Sequence, residues 1–106
     1  MLFELRQYQI QPGTQEEWVR LMEEEIIPFQ VAQGMVILGS FVGEDDETKY
    51  VWIRRFDDEV ERERLYEAVY ESDHWRDVIA PQIAPILIRE AINVTRLTPT
   101  PKSPIH

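Results

Sequence analysis

From Leu2 to Ile10 the chain alternates between two faces. Phe3 and Leu5 fall on one, and Glu4, Arg6, Tyr8 and Ile10 on the other. That period of two predicts a strand, closed by the Pro12-Gly13 turn. The pattern then changes period. Trp18, Leu21, Met22, Ile26, Phe29 and Ala32 recur at spacings of three and four and predict a helix over 15–33. Thr14 is the expected N-cap with Glu17 as its capping-box partner, Pro28 is expected to kink or split the helix, and Gly34 is placed to end it.

Met35 to Val42 reads as a second strand, with Met35, Ile37 and Phe41 on one side and Val36, Leu38 and Val42 on the other. The acidic stretch 43–47 makes a hairpin tip. The third strand, Thr48 to Phe56, sets Tyr50, Trp52, Arg54 and Phe56 against Val51, Ile53 and Arg55. Asp57 or Asp58 caps a second helix over 59–70, in which Leu65, Ala68 and Val69 mark the buried side. A further helical stretch begins near His74 and is weakened by Pro81 and Pro85. Ile88 to Leu97 reads as the last strand.

The order β-α-β-β-α-β predicts an α+β, ferredoxin-like unit with both helices on one face of a four-stranded antiparallel sheet. The domain spans 1–97, and 98–106 is a Pro-rich tail, loose or docked. Two helices cover one sheet face only, while strands two and three are apolar or aromatic on both. A second copy packed sheet to sheet would bury the remainder, so a homodimer through apposed sheets is expected.

Composition narrows the chemistry. Lys plus Arg is 11 and Asp plus Glu is 20, so 11 − 20 gives a net charge of −9. That balance speaks against nucleic acid and anionic membrane as partners. There is no cysteine, which removes disulfides, thiolate metal sites and a thiol nucleophile. No secretion signal or apolar run of membrane-spanning length is read, and a cytoplasmic location is expected.

Several stretches together resemble a known family. Glu4-Leu5-Arg6-Gln7-Tyr8 with Gln11-Pro12-Gly13 is similar to the opening motif of NIPSNAP-like proteins. Gly34, Gly39-Ser40-Phe41, Arg54-Arg55-Phe56-Asp57 and Ser72-Asp73-His74-Trp75 follow in the family's order. The resemblance spans Phe3 to Pro99. It implies a dimeric α/β barrel of two ferredoxin-like subunits. The wider superfamily holds cofactor-independent monooxygenases, isomerases and haem-binding enzymes, so fold does not fix chemistry.

Candidate residues follow from type and position. Arg6 and Tyr8 share one strand face, a costly pair to bury unless satisfied. Arg6 suits a carboxylate or enolate and Tyr8 a hydrogen bond or proton; equally, Arg6 pairs with Glu4 and Tyr8 fills core. Trp52 and Arg54 suit a pocket for a flat organic ligand or an interface. His74, the sole internal histidine, is a candidate acid, base or haem ligand, or a surface residue. Trp75 is a pocket wall or core. The catalytic candidates are thus Arg6, Tyr8 and His74, and the substrate-binding candidates Trp52, Arg54 and Trp75. No cofactor or metal is expected. One reading is a small-molecule binder, or a cofactor-free monooxygenase or isomerase; the other is a non-catalytic interaction module.

Overall fold

The computed structural model describes residues 1–106. Strand β1 (Leu2–Gln9) leads into helix α1 (Gln15–Leu21), which runs through a π-helical stretch (Met22–Ile26) into α2 (Ile27–Gln33). Strands β2 (Val36–Val42) and β3 (Lys49–Phe56) form a hairpin. Helix α3 (Glu59–Tyr70), a second π-helical stretch (Trp75–Ile79), the short α4 (Ala80–Ile83) and a 3-10 turn (Arg89–Ala91) precede β4 (Asn93–Leu97). The strands pair antiparallel in the order β2-β3-β1-β4. This is the ferredoxin-like topology with helices on one face. No helix is long and apolar enough to cross a membrane.

The expected barrel is not there. The sheet is open, with β2 and β4 as its edges. Nothing in the single chain supplies evidence for the dimer through apposed sheets. The physical reason lies partly in the tail. Residues 98–106 lie over the face that the helices leave bare, with Pro99, Thr100, Ser103 and Ile105 facing Phe3, Ile53 and Leu97 across a groove. Arg55 Nη1 donates to the His106 carbonyl at 2.6 Å. Phe3, on that face, is only 5% exposed. Part of the apolar surface that suggested a second subunit is therefore screened by the chain's own end.

Local chemistry explains the helices. Pro28 lacks an N–H, and its ring would meet the carbonyl four residues back in a regular α-helix. The π stretch over Met22–Ile26 widens the spiral there, so the helix passes Pro28 without breaking. Pro81 repeats the device behind Trp75–Ile79. Gly34 ends α2 with φ of 112°, and a Cβ there would sit 3.3 Å from Leu65 Cδ2. Thr14 makes no capping bond; its hydroxyl donates to the Gln11 carbonyl at 2.6 Å instead.

Helix α3 starts from a variant of the capping box, in which the return bond goes to the residue before the N-cap. Asp58 accepts from the Glu61 N–H at 2.8 Å, and Glu61 accepts from the Asp57 N–H at 3.0 Å. Asp58→Ala is expected to cost about 1 kcal/mol, read as a lower urea midpoint with an unchanged slope.

Two strand expectations change. A bulge between Ile37 and Gly39 in β2 puts Ile37 and Phe41 on opposite faces. The last strand begins at Asn93 rather than Ile88, because residues 89–91 turn as 3-10 helix. The β1–β3 register runs unbroken from Leu2↔Phe56 to Gln9↔Lys49. Glu4, Arg6 and Tyr8 therefore face the helices together with Tyr50, Trp52 and Arg54.

Candidate functional site

Between the sheet and the second crossover lies a cavity of about 260 Å³. Met22 and Ile26 of the first π stretch, and Trp75 and Ala80 at the second, form part of its wall. The two proline-driven irregularities thus shape the hollow. The sheet contributes Arg6, Tyr8 and Trp52, helix α3 contributes Tyr66 and Tyr70, and the segment before β4 contributes Arg89.

Behind this wall is a buried polar network centred on Glu4, which is fully buried. Arg54 Nη2 donates to Glu4 Oε1 at 2.6 Å and Nε to the same oxygen at 3.1 Å. Arg62 Nε and the Tyr66 hydroxyl donate to Oε2 at 2.7 and 2.6 Å. Burial opposes ionisation of Glu4, but the charge of Arg54 and the hydrogen bonds from Tyr66 and Arg62 outweigh it. Its carboxyl is held at about 2. Arg54 is also buried, and its remaining N–H groups reach Tyr66 and Tyr70 at 2.7 Å and Gln30 at 2.9 Å.

Arg54, read from the sequence as substrate-binding, is thus spent inside the network and does not line the cavity. Arg6 is placed differently. Its Nε donates to the Tyr8 hydroxyl at 2.8 Å, and Nη1 makes longer bonds to Tyr66 at 3.3 Å and Glu4 at 3.4 Å. Arg6 Nη2 has no partner. The Tyr8 hydroxyl accepts from Arg6 and donates to nothing. The Trp52 indole N–H is buried without a partner. Arg6 and Trp52 are directly opposite in the β1–β3 register; the unused Arg6 and Tyr8 donors share one patch of the wall, while the Trp52 N–H is closed off from solvent.

Burial pushes the Tyr8 phenol up, with the Arg6 guanidinium pulling partly the other way. Burial also pushes Tyr66 up to about 12. At neutral pH both phenols keep their protons and act as donors, not bases, while Glu4 keeps its charge.

Trp75 lines the cavity and stands edge-on to Tyr70, ring centroids 4.8 Å apart. His74 is exposed, 4.9 Å from the Phe29 ring, and lies off the cavity. The structure therefore brings together Arg6, Tyr8, Trp52 and Trp75, sets Arg54 behind them and leaves His74 outside. Glu4 was read only as an ion-pair partner of Arg6, and Tyr66, Tyr70 and Arg89 are residues that sequence reasoning passed over. The first three had a signal. Glu4 shares its strand face with Arg6, and Arg62, Tyr66 and Tyr70 recur every four residues on α3. Arg89 had none, because its segment reads as strand.

Solved structures share this fold. A NIPSNAP domain protein from Burkholderia xenovorans superposes with a TM-score of 0.86 at 23% identity, covering 98% of this chain and 99% of that one. A NIPSNAP family protein from Agrobacterium tumefaciens gives 0.88 at 20% identity, over 100% and 94%. An antibiotic biosynthesis monooxygenase gives 0.68 at 18% identity, over 95% and 100%, a likeness of fold. No curated protein matches the sequence significantly. The NIPSNAP family model matches residues 3–104, and the chain belongs to the NIPSNAP family.

Proposed function

We propose that this NIPSNAP-family chain binds a small, flat organic anion in the cavity, with Arg6 and Tyr8 holding its charged oxygen and Trp52 forming part of the wall. One observation carries the reading. The chain has 20 acidic residues, and none of them is on the cavity wall, whereas Arg6 and Arg89 are. An acidic protein with a cationic, carboxylate-free pocket is built for a negative guest. The unused Arg6 N–H and the Tyr8 O–H supply the directional contacts. At roughly 30 Å³ per water the hollow holds about nine waters' worth of ligand, the scale of a substituted benzene ring.

The same geometry suits a substrate that is bound already as its enolate or phenolate, since the wall holds no base to remove a proton. Arg6 would stabilise the oxyanion, and Tyr8 would donate a hydrogen bond to it. Oxygenation of such an electron-rich anion by dioxygen, without a cofactor, starts from this anion. The fold likeness to a monooxygenase supports that direction at the level of architecture only. Trp52 and Trp75 act as flat walls. Arg54 acts through Glu4 and Tyr66, and His74 is given no contact with the ligand. A cytoplasmic setting belongs to this reading and rests on the absence of cysteine.

The alternative, a non-catalytic interaction module, calls for a solid interior beside Arg6 and Tyr8. The hollow there favours the ligand reading. Calorimetric titration with benzoate and its neutral isostere benzamide tests it. Benzoate is expected to bind and benzamide to bind far more weakly. Arg6→Met is expected to lower benzoate affinity by about ten- to a hundredfold, the worth of a hydrogen bond to a charged group. Equal binding of both probes, or an Arg6→Met chain that binds benzoate like the parent, overturns the assignment.

A further inference from the structure

We infer that the natural ligand carries a second acidic group, and that Arg89 at the rim of the same cavity is the residue that selects for it. The inference rests on the anion pocket proposed above. Arg89 opens the 3-10 turn before β4 and is exposed, yet it lines the cavity alongside Leu87 and Ile92.

Its guanidinium is uncommitted. The ion pairs of the molecule engage Arg6, Arg54, Arg62, Arg76 and Arg96, and none involves Arg89. It makes no pair with Glu90, its neighbour in the chain, despite the surplus of carboxylates over the surface as a whole. The turn that carries it is anchored. Ile88 N donates to the Gln9 carbonyl at 2.9 Å, and Leu87 bridges Ile10. Arg89 is therefore presented from backbone tied to β1, the strand that carries Arg6.

Two guanidiniums line one small cavity whose wall holds no carboxylate, and the Glu4 carboxylate behind Arg6 is shared with Arg54 and Arg62. A monoanion at Arg6 answers one of these charges. A dianion with acidic groups at opposite ends of a flat apolar body answers both, and its middle meets Trp52, Trp75 and the aliphatic wall. Aromatic dicarboxylates and ring acids bearing a second ionised oxygen have this chemistry. Arg89 adds a charge contact near solvent, so its contribution is modest and sensitive to salt.

The test is the ratio of terephthalate to benzoate affinity, measured by calorimetry on the full chain. In the parent the ratio is expected to favour terephthalate by about fivefold. In Arg89→Ala it is expected to fall to near one, and Arg89→Lys should retain part of it. The parent's ratio should also shrink at about 1 M salt, where the screening length is roughly 3 Å. A ratio near one in the parent, or the same ratio in the parent and in Arg89→Ala, overturns the inference while leaving the anion pocket standing. Failure of the parent to bind benzoate at all removes the pocket, and this inference with it.

Discussion

Glu4→Gln is expected to cost about 3–5 kcal/mol, because it leaves buried arginines without their counter-charge. The Glu4 carboxylate takes charged hydrogen bonds from Arg54 and Arg62 and lies 3.4 Å from Arg6. Gln replaces its shape but not its charge. Urea unfolding at neutral pH reads the loss, and a loss below about 1 kcal/mol would show that the network does not depend on that charge. Changing Glu4 and Arg54 together to apolar residues is expected to cost less than the sum of the two single changes, since no charge is then stranded.

The same carboxylate predicts an acid limit. Its folded value of about 2 lies below the ordinary 4.5. A depressed acid pKa stabilises the fold above the unfolded-state value and loses that contribution as pH falls toward the folded one. The parent should therefore lose about 3 kcal/mol between roughly pH 5 and pH 2 from this group. Glu4→Gln should lack that part of the slope. Parallel slopes in the two proteins would assign acid sensitivity to other carboxylates.

Trp18→Ala is the second large effect, expected at about 3–5 kcal/mol. Trp18 is fully buried, with its ring 6.1 Å from Tyr8 and 5.8 Å from Tyr50, edge-on to both. Truncation removes the side chain that joins α1 to the sheet and opens a void too deep to collapse. Trp18 does not line the ligand cavity, yet Tyr8 packs against it, so benzoate affinity should fall along with stability. Thermal and urea unfolding give the first quantity and calorimetry the second. Parent-like benzoate affinity in a destabilised Trp18→Ala would show that Tyr8 is held by Arg6 and β3 alone.

These effects trace back to features of different visibility in the sequence. The alternation of β1 and β3 was legible, whereas the face of β1 that meets the helices was decided by the unbroken β1–β3 register. The alternation already placed Arg6 and Tyr8 on one strand and Trp52 on its neighbour. The Asp58 cap and the Gly34 terminus were legible because each answers a local backbone need. Thr14 was misleading for the same local reason: its hydroxyl had a competing carbonyl, that of Gln11, within reach. Arg54 could not be separated from Arg6 by sequence. Whether a guanidinium is spent on Glu4 or left facing a hollow depends on what α3 brings over it.

The barrel was the main misreading. It followed from apolar residues on both faces of β2 and β3 and from the family resemblance. Family membership holds, but the sheet is open, the tail covers Phe3, and the bulge at β2 reassigns Phe41. Hydrophobic pattern reports what wants burial and does not name the partner that provides it.

By itself, then, the sequence determined the element order, the alternation of β1 and β3, the family and the lack of thiol chemistry, all of which depend on local spacing or composition. Only the tertiary structure decided that a hollow exists, that two π-helical stretches ahead of Pro28 and Pro81 shape it, and that its wall carries arginines and no carboxylate. Those properties come from side chains far apart in sequence packing to leave space between them, and one-dimensional periodicity holds no measure of empty volume.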